Sequence, residues 1–196
     1  LPYTPPCRSI EGDPLPPGQV WTISPGSADA SPSLYRIGVN VGPGGGVKIL
    51  NAPVPPQFRE SVRYGEQNLY TRSKEFVGDR DPRSHEFSVQ LRAMDVDHSG
   101  AGLGLAVLVA LSGSLLEKSV KGGLVIVGAL NLGGSIEPLP NAVAVAELAV
   151  EKGASTVLMP ITARRQLFNL SDDMATKISI EFYGDLVDAL DKSLIE

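Results

Sequence analysis

The chain has 196 residues, a formal charge of −5 at pH 7 and a hydrophobic content of 42%, which fits one large domain with enough apolar material for a substantial core. That acidic balance argues against a sequence-independent grip on nucleic acid by this segment, because such a grip needs a basic face. A lone cysteine, Cys7, excludes an internal disulfide and suits a reducing compartment such as the cytoplasm.

The start Leu1-Pro2-Tyr3 shows no initiator methionine and no basic-then-apolar leader, so we expect a piece of something longer without a signal or transit peptide. Residues 1–33 hold Pro2, Pro5, Pro6, Pro14, Pro16, Pro17, Pro25 and Pro32. Proline fixes φ and removes an amide donor, which excludes regular helix over most of this stretch. We expect an extended arm or linker there, with one short strand at 20–23 and Trp21 anchoring it, and the domain proper over 34–196. From residue 34 the pattern LYRIGVNV, GPGGG, VKILN predicts two strands joined by a glycine-rich turn, with Tyr35, Ile37, Val39 and Val41 on one face.

Residues 57–77 place Phe58, Val62, Leu69 and Phe76 at helical spacing, with Gly65 on the same stripe where it admits a close contact. Arg59, Arg63, Arg72, Lys74, Arg80 and Arg83 are interleaved with Glu60, Glu66 and Glu75, which reads as a solvated face. Residues 86–94 alternate through Phe87, Val89, Leu91 and Ala93 and predict a strand running into a corner at 97–102. A buried helix is expected over 99–116; its apolar run is shorter than the roughly 20 residues a membrane span needs. Residues 124–127 form a continuous apolar strand, and 131–134 a turn into another short strand. Pro138 and Pro140 bound a helix over 141–152, with Ala142, Val145, Ala146 and Ala149 inward and Gly153 closing it. Strand 155–159, helix 162–170, strand 177–183 and helix 185–195 complete an α/β (α+β) sandwich of mixed sheets and packed helices.

Gly42, Gly44, Gly45 and Gly46 do not make a phosphate loop, because no Gly-Lys-Ser/Thr follows. Gly100-Ala101-Gly102-Leu103-Gly104 fails the dinucleotide fingerprint, its third glycine arriving one residue early. Asp95, Asp97 and His98 are candidate metal ligands, a set short of donors by itself. Ser99 is the one hydroxyl at the corner. It suits the N-cap of the following helix, its oxygen accepting from the next turn's amides; a local bulge would be needed to present it as a nucleophile.

The run Asp97-His98-Ser99-Gly100-Ala101-Gly102, the apolar helix after it, and GGLVIVGALNLGGSIEPLPNAVAVAELAVEKGASTVLMP resemble the proteolytic core of Lon-type serine peptidases. That family reads D-G-P-S-A-G, an apolar helix, T-G-x-x-x-x-x-G-x-x-L-P, then G-G-L-K and T-V-L-x-P. Ala101-Gly102 and Pro138 fix the register without a gap. In it the resemblance puts the family's nucleophilic serine at Gly100, its base lysine at Val143 and its proline at Ser99. A serine hydroxyl is a poor nucleophile until a neighbouring base takes its proton, and Val143 can accept none. The resemblance therefore implies a Lon proteolytic-domain fold whose peptidase chemistry is lost. A rival expectation is an ATP-dependent serine endopeptidase with a rearranged site using Ser99, with Glu147, Lys118 or Lys121 as replacement bases. A third is a small anion or carboxylate held by free amides at Gly100–Gly102.

Over a longer reach, WTISPG, LYRI, LVAL and ISIEFYGDLVDAL are similar to the C-terminal Lon-like domain of the BrxL family of BREX phage-defence proteins. This implies an upstream AAA+ module carrying ATP and Mg, with no cofactor in the present domain. It also implies a ring of identical copies and DNA engaged through the whole protein, with no membrane. The domain's own role would be that of an oligomerisation scaffold.

Overall fold

The computed structural model describes residues 9–27, 29–51, 53–95 and 99–196; the expectations placed on Cys7, Asp97 and His98 lie outside them. Among the described residues seven strands share one sheet. They are β1 (Gln19–Ser24), β2 (Ser33–Pro43), β3 (Gly46–Ile49), β4 (His85–Ala93), β5 (Leu124–Ile126), β6 (Thr156–Pro160) and β7 (Ser179–Tyr183), in the order β3-β4-β2-β1-β5-β6-β7. β1 pairs antiparallel with β2 and parallel with β5, so it joins a mixed half of the sheet, in which β2 and β4 are antiparallel and β3 and β4 parallel, to a wholly parallel half. β1 is thus central to the sheet, although it comes from the stretch expected to be an arm. Its alternation explains the position: Val20 faces one core, and Trp21 and Ile23 face the other. The Arg36 guanidinium lies 4.8 Å from the Trp21 ring centroid, shielding the ring from water.

Helices cover both faces. α1 (Pro56–Thr71), α2 (Ser73–Val77), α3 (Gly104–Leu116) and α6 (Leu186–Ser193) build the first core with β2 and β4. α4 (Ala142–Lys152) and a 3-10 helix, Ile161–Asn169, cover the other face, with α5 (Asp172–Lys177) packed on α4. This is the expected mixed α/β architecture. The face built from Tyr35, Ile37 and Val39 is buried as the alternation predicts, as are Phe58, Val62, Leu69 and Phe76. Gly65 admits the close contact anticipated for it: a Cβ there would lie 2.8 Å from Val107 Cγ1.

Three local expectations are corrected. The helix over 57–77 breaks at Arg72 (φ −123, ψ 31), and the turn lets the adjacent Phe76 and Val77 both enter the core. The helix over 99–116 starts only at Gly104, because Gly100 and Gly102 hold φ of +62 and +72, a left-handed backbone that no right-handed helix contains. The strand expected after 131–134 is a single bridge between Leu130 and Ile136, while the short helix expected over 162–170 is present as the 3-10 helix Ile161–Asn169. α5 was not anticipated. It forms because Ser171 Oγ accepts from the Met174 amide at 3.2 Å, with Asp172 and Asp173 in the first turn beside the helix's positive end.

Every residue of α3 from Gly104 to Leu115 is buried, as a helix that is apolar on all sides requires. Among the described residues no helix is long and apolar enough to cross a membrane.

Candidate active-site corner

The segment between β4 and α3 is held by hydroxyls from three other elements. Gly100 donates its amide to the Tyr35 hydroxyl on β2 at 3.1 Å. Ser24, at the end of β1, donates its hydroxyl to the Ala101 carbonyl at 2.7 Å. Leu103 donates its amide to Ser61 Oγ on α1 at 3.3 Å, and Ser61 passes its own proton to the Gln57 carbonyl at 3.1 Å. Leu105 donates to the Gly128 carbonyl at 3.1 Å.

These bonds change the reading of Ser99. The residue at the α3 N-cap is Leu103, with no side-chain cap, so Ser99 is not the helix cap expected of it. Its Oγ lies 3.3 Å from Ser24 Oγ. Since Ser24 donates to Ala101, it is left to act as the acceptor in its contact with Ser99, and it is a hydroxyl and not a base. Among the described residues no lysine amine is hydrogen-bonded to Ser99. Lys118 and Lys121 lie beyond the far end of α3, about 20 Å from the corner at 1.5 Å of rise per residue, and Glu147 is exposed on α4. The amide of Gly100, one of those expected to be free for an anion, is taken by Tyr35.

Gly100 lies before α3 and Val143 lies in α4. A Cβ on Gly100 would stand 3.2 Å from Phe58 Cβ and 3.5 Å from Pro55 Cγ, directed at the start of α1. Val143 sits half-buried in the first turn of α4. The segment 24–27 touches both regions: Ser24 binds the corner, while the Pro25 and Ser27 carbonyls accept from Asn141 Nδ2 at 3.2 and 3.3 Å. Asn141 takes φ +56, which asparagine tolerates. Gln166, on the 3-10 helix, then caps α4 from a distance, accepting from the Ala142 amide at 2.9 Å and donating to the Leu139 carbonyl at 2.6 Å. Tyr35, Ser24, Ser61 and Gln166 were not anticipated as site residues. Their alternation or helical phase was readable, but not the long-range partner of each polar tip.

Both carboxylate oxygens of Asp95 are engaged. Oδ2 accepts from the Leu34 amide at 2.7 Å and Oδ1 from Lys152 Nζ at 2.6 Å. The Lys152 and Asp95 side chains are 17% and 25% exposed, so the pair is largely shielded. This explains Asp95 as a clamp between β4, β2 and α4 and leaves its oxygens little capacity for a metal. Among the described residues no cluster of three or more His, Cys, Asp or Glu could hold one. Asp95→Ala should cost about 2 kcal/mol, because it strands a lysine and an amide together. Asp95→Asn, which keeps an acceptor for Leu34, should cost less. Urea unfolding midpoints of the two variants check the order.

The chain resembles two curated proteins. It is 33% identical over 110 residues to the Lon-like protease BrxL of Escherichia coli O9:H4 (strain HS), covering 56% of this chain and 16% of that protein. It is 22% identical over 183 residues to the Lon-like protease BrxL of Bacillus cereus (strain H3081.97), covering 91% of this chain and 26% of that protein. The chain is similar to the Lon-like BrxL proteins over most of its length. The chain spans about a quarter or less of the length of these relatives, and no family model matches it.

Gly100→Ser puts a hydroxyl where the resemblance places the family's nucleophile. The left-handed backbone disfavours any side chain by roughly 1–2 kcal/mol, and the new Cβ meets Phe58. The variant should lose about that much stability and gain no reactivity, as read by denaturant unfolding alongside an active-serine probe.

Proposed function

We propose that this Lon-like domain is an oligomerisation scaffold of a larger BREX phage-defence protein, its Ser-Lys chemistry lost. The observation that carries this is the Ser99–Ser24–Ala101 chain of hydroxyl bonds, which ends on a carbonyl with no base in it. Gly100 and Val143, at the positions the Lon resemblance gives to the catalytic pair, supply neither nucleophile nor proton acceptor. Losses of this kind do not add, because a nucleophile and its base act as a unit; removing either from a comparable serine hydrolase costs on the order of 10⁶ in rate.

The relatives are several times longer than this chain. That is consistent with an AAA+ module upstream, carrying ATP and Mg, in a cytoplasmic ring of identical subunits. DNA would be engaged through that whole protein, since the present domain is acidic. The Lon-like domain would then work by apolar area buried between copies, which needs no reactive group.

The names of both relatives include "protease", which favours the rival endopeptidase reading with Ser99 as nucleophile. A fluorophosphonate probe of active serines decides between them. Unlabelled Ser99, together with undegraded casein when the intact protein is given ATP, is the expected result. Labelling that disappears in Ser99→Ala would overturn the scaffold reading.

A further inference from the structure

On the side of the sheet that α4 covers, the second core takes Leu34 alone from β2 and no residue from β3 or β4. Beyond Leu34 that face is bare. It presents Arg36, Asn40, Ser88, Gln90 and Arg92, all half-buried or exposed, and each of these side chains carries a hydrogen-bond donor. The register sets Arg36 directly opposite Arg92, Gly38 opposite Gln90 and Asn40 opposite Ser88. The carboxylate on the last of these rungs, Glu86 opposite Gly42, is held by Lys48.

Like charges directly opposite each other in an antiparallel pair repel and cost stability. The chain carries a net charge of −5, yet among the described residues neither guanidinium has an ion-pair partner. Arg36 is nevertheless fixed in place: it lies over the Trp21 ring, and its Nε donates to Gln19 Oε1 at 3.3 Å. Gln19 in turn lies across Gly38, where a Cβ would stand 2.8 Å from its Nε2. Burial first, and Arg92 second, hold the Arg36 pKa below the ordinary arginine value, but a guanidinium stays charged in a protein. The tether engages Nε and leaves the two terminal nitrogens of Arg36 for another acceptor.

We infer that Arg36 and Arg92 form a site for the phosphomonoester group of a small molecule, both guanidiniums donating to its terminal oxygens and the Gln19 and Gln90 amides adding neutral donors on the next rung. Charge selects the anion. A carboxylate or a phosphodiester brings one negative charge, whereas a phosphomonoester brings nearly two at neutral pH, with three strong acceptor oxygens. It therefore neutralises the facing pair, and planar guanidiniums suit its oxygens by bidentate donation. The rungs around the pair are glycine and polar side chains, with no apolar recess for a peptide side chain, so the phosphate itself is what the face reads. This site is independent of the scaffold reading and stands or falls apart from the serine-probe experiment.

Phosphorus NMR of phenyl phosphate titrated with the 196-residue chain tests it. The resonance should shift and saturate. Arg92→Gln should weaken binding roughly tenfold, the lower end of what a charge-assisted pair is worth. Arg92 is exposed and its replacement removes a repulsion, so the same variant should have a higher urea midpoint in phosphate-free buffer. The weaker binding then cannot come from misfolding. Phenyl phosphate should raise the midpoint of the parent and leave that of Arg92→Gln nearly unchanged. Absence of a saturable shift with the parent, or a shift that Arg92→Gln leaves intact, overturns the site. A midpoint that falls in Arg92→Gln overturns it as well, by showing that the facing arginines serve the fold. An oligonucleotide of diesters alone that binds more tightly than phenyl phosphate overturns the monoester and gives the face to nucleic acid, and a phosphoserine peptide that does so overturns the small molecule.

Discussion

Gly128→Ala should lower the free energy of unfolding by about 3 kcal/mol, at the upper end of what overpacking a well-filled core costs. A Cβ at this position would stand 1.9 Å from the Tyr183 hydroxyl and 3.2 Å from its Cζ, so one of them must move. The tyrosine is 1% exposed, and its hydroxyl donates to the Val127 carbonyl at 2.8 Å. Burial pushes its pKa far above the ordinary tyrosine value, so it stays a neutral donor at any working pH. Displacing it breaks that bond and strands a buried hydroxyl. The Gly128 carbonyl also receives the Leu105 amide at the start of α3, which carries the disturbance to the corner. Tyr183→Phe alone should cost about 1 kcal/mol, the net worth of one hydrogen bond. In the Tyr183→Phe background Gly128→Ala should cost much less than in the parent, because the clashing oxygen is gone. A double-mutant cycle by urea denaturation measures this; strictly additive losses would show that the hydroxyl is not what excludes the methyl.

Leu108→Ala should be comparably damaging, at about 4 kcal/mol, by loss of buried hydrocarbon together with the cavity left behind. Leu108 is fully buried in α3, and that helix packs against α1 on one side and against β1 and β2 on another. No neighbour is free to fill the hole, since α1 already approaches closely enough for Val107 to fill the space beside Gly65. Total stabilities of roughly 5–15 kcal/mol make such a loss visible as a large shift in the urea midpoint at unchanged slope. A loss under about 1 kcal/mol would contradict the all-round burial of α3.

The elements were largely legible because burial writes itself into periodicity. The alternation Tyr35, Ile37, Val39 and the helical stripe Phe58, Val62, Leu69 each face the core as their spacing dictates. The α3 boundary was not legible, because an apolar run reads the same whether its first residues coil or turn. Only the positive φ of Gly100 and Gly102 separates the two cases. The place of β1 was hidden for a similar reason: prolines on both sides mark the ends of a strand but not its neighbours, and pairing with β5, a hundred residues later, is a matter of topology. The corner was half legible. The absence of side chains at Gly100 and of a base at Val143 stands in the residues themselves, whereas the Ser24 and Tyr35 bonds depend on folding distant polar tips onto one turn. Asp95 illustrates the limit: a carboxylate close in sequence to another aspartate and a histidine suggests a metal by composition, but its lysine partner is 57 residues away, on α4.

Gln19–Ser24 is bonded along both of its edges, to β2 on one side and β5 on the other. Tension entering the fold through residue 19 therefore runs along the strand axis and loads two rows of backbone bonds simultaneously, in shear instead of one after another as in unzipping. Ahead of that strand Leu15 bridges Val120 and the Ile10 amide reaches the Lys152 carbonyl at 3.0 Å, so a pull arriving from that side would load these fastenings first and move the domain as a body before it reached the strand.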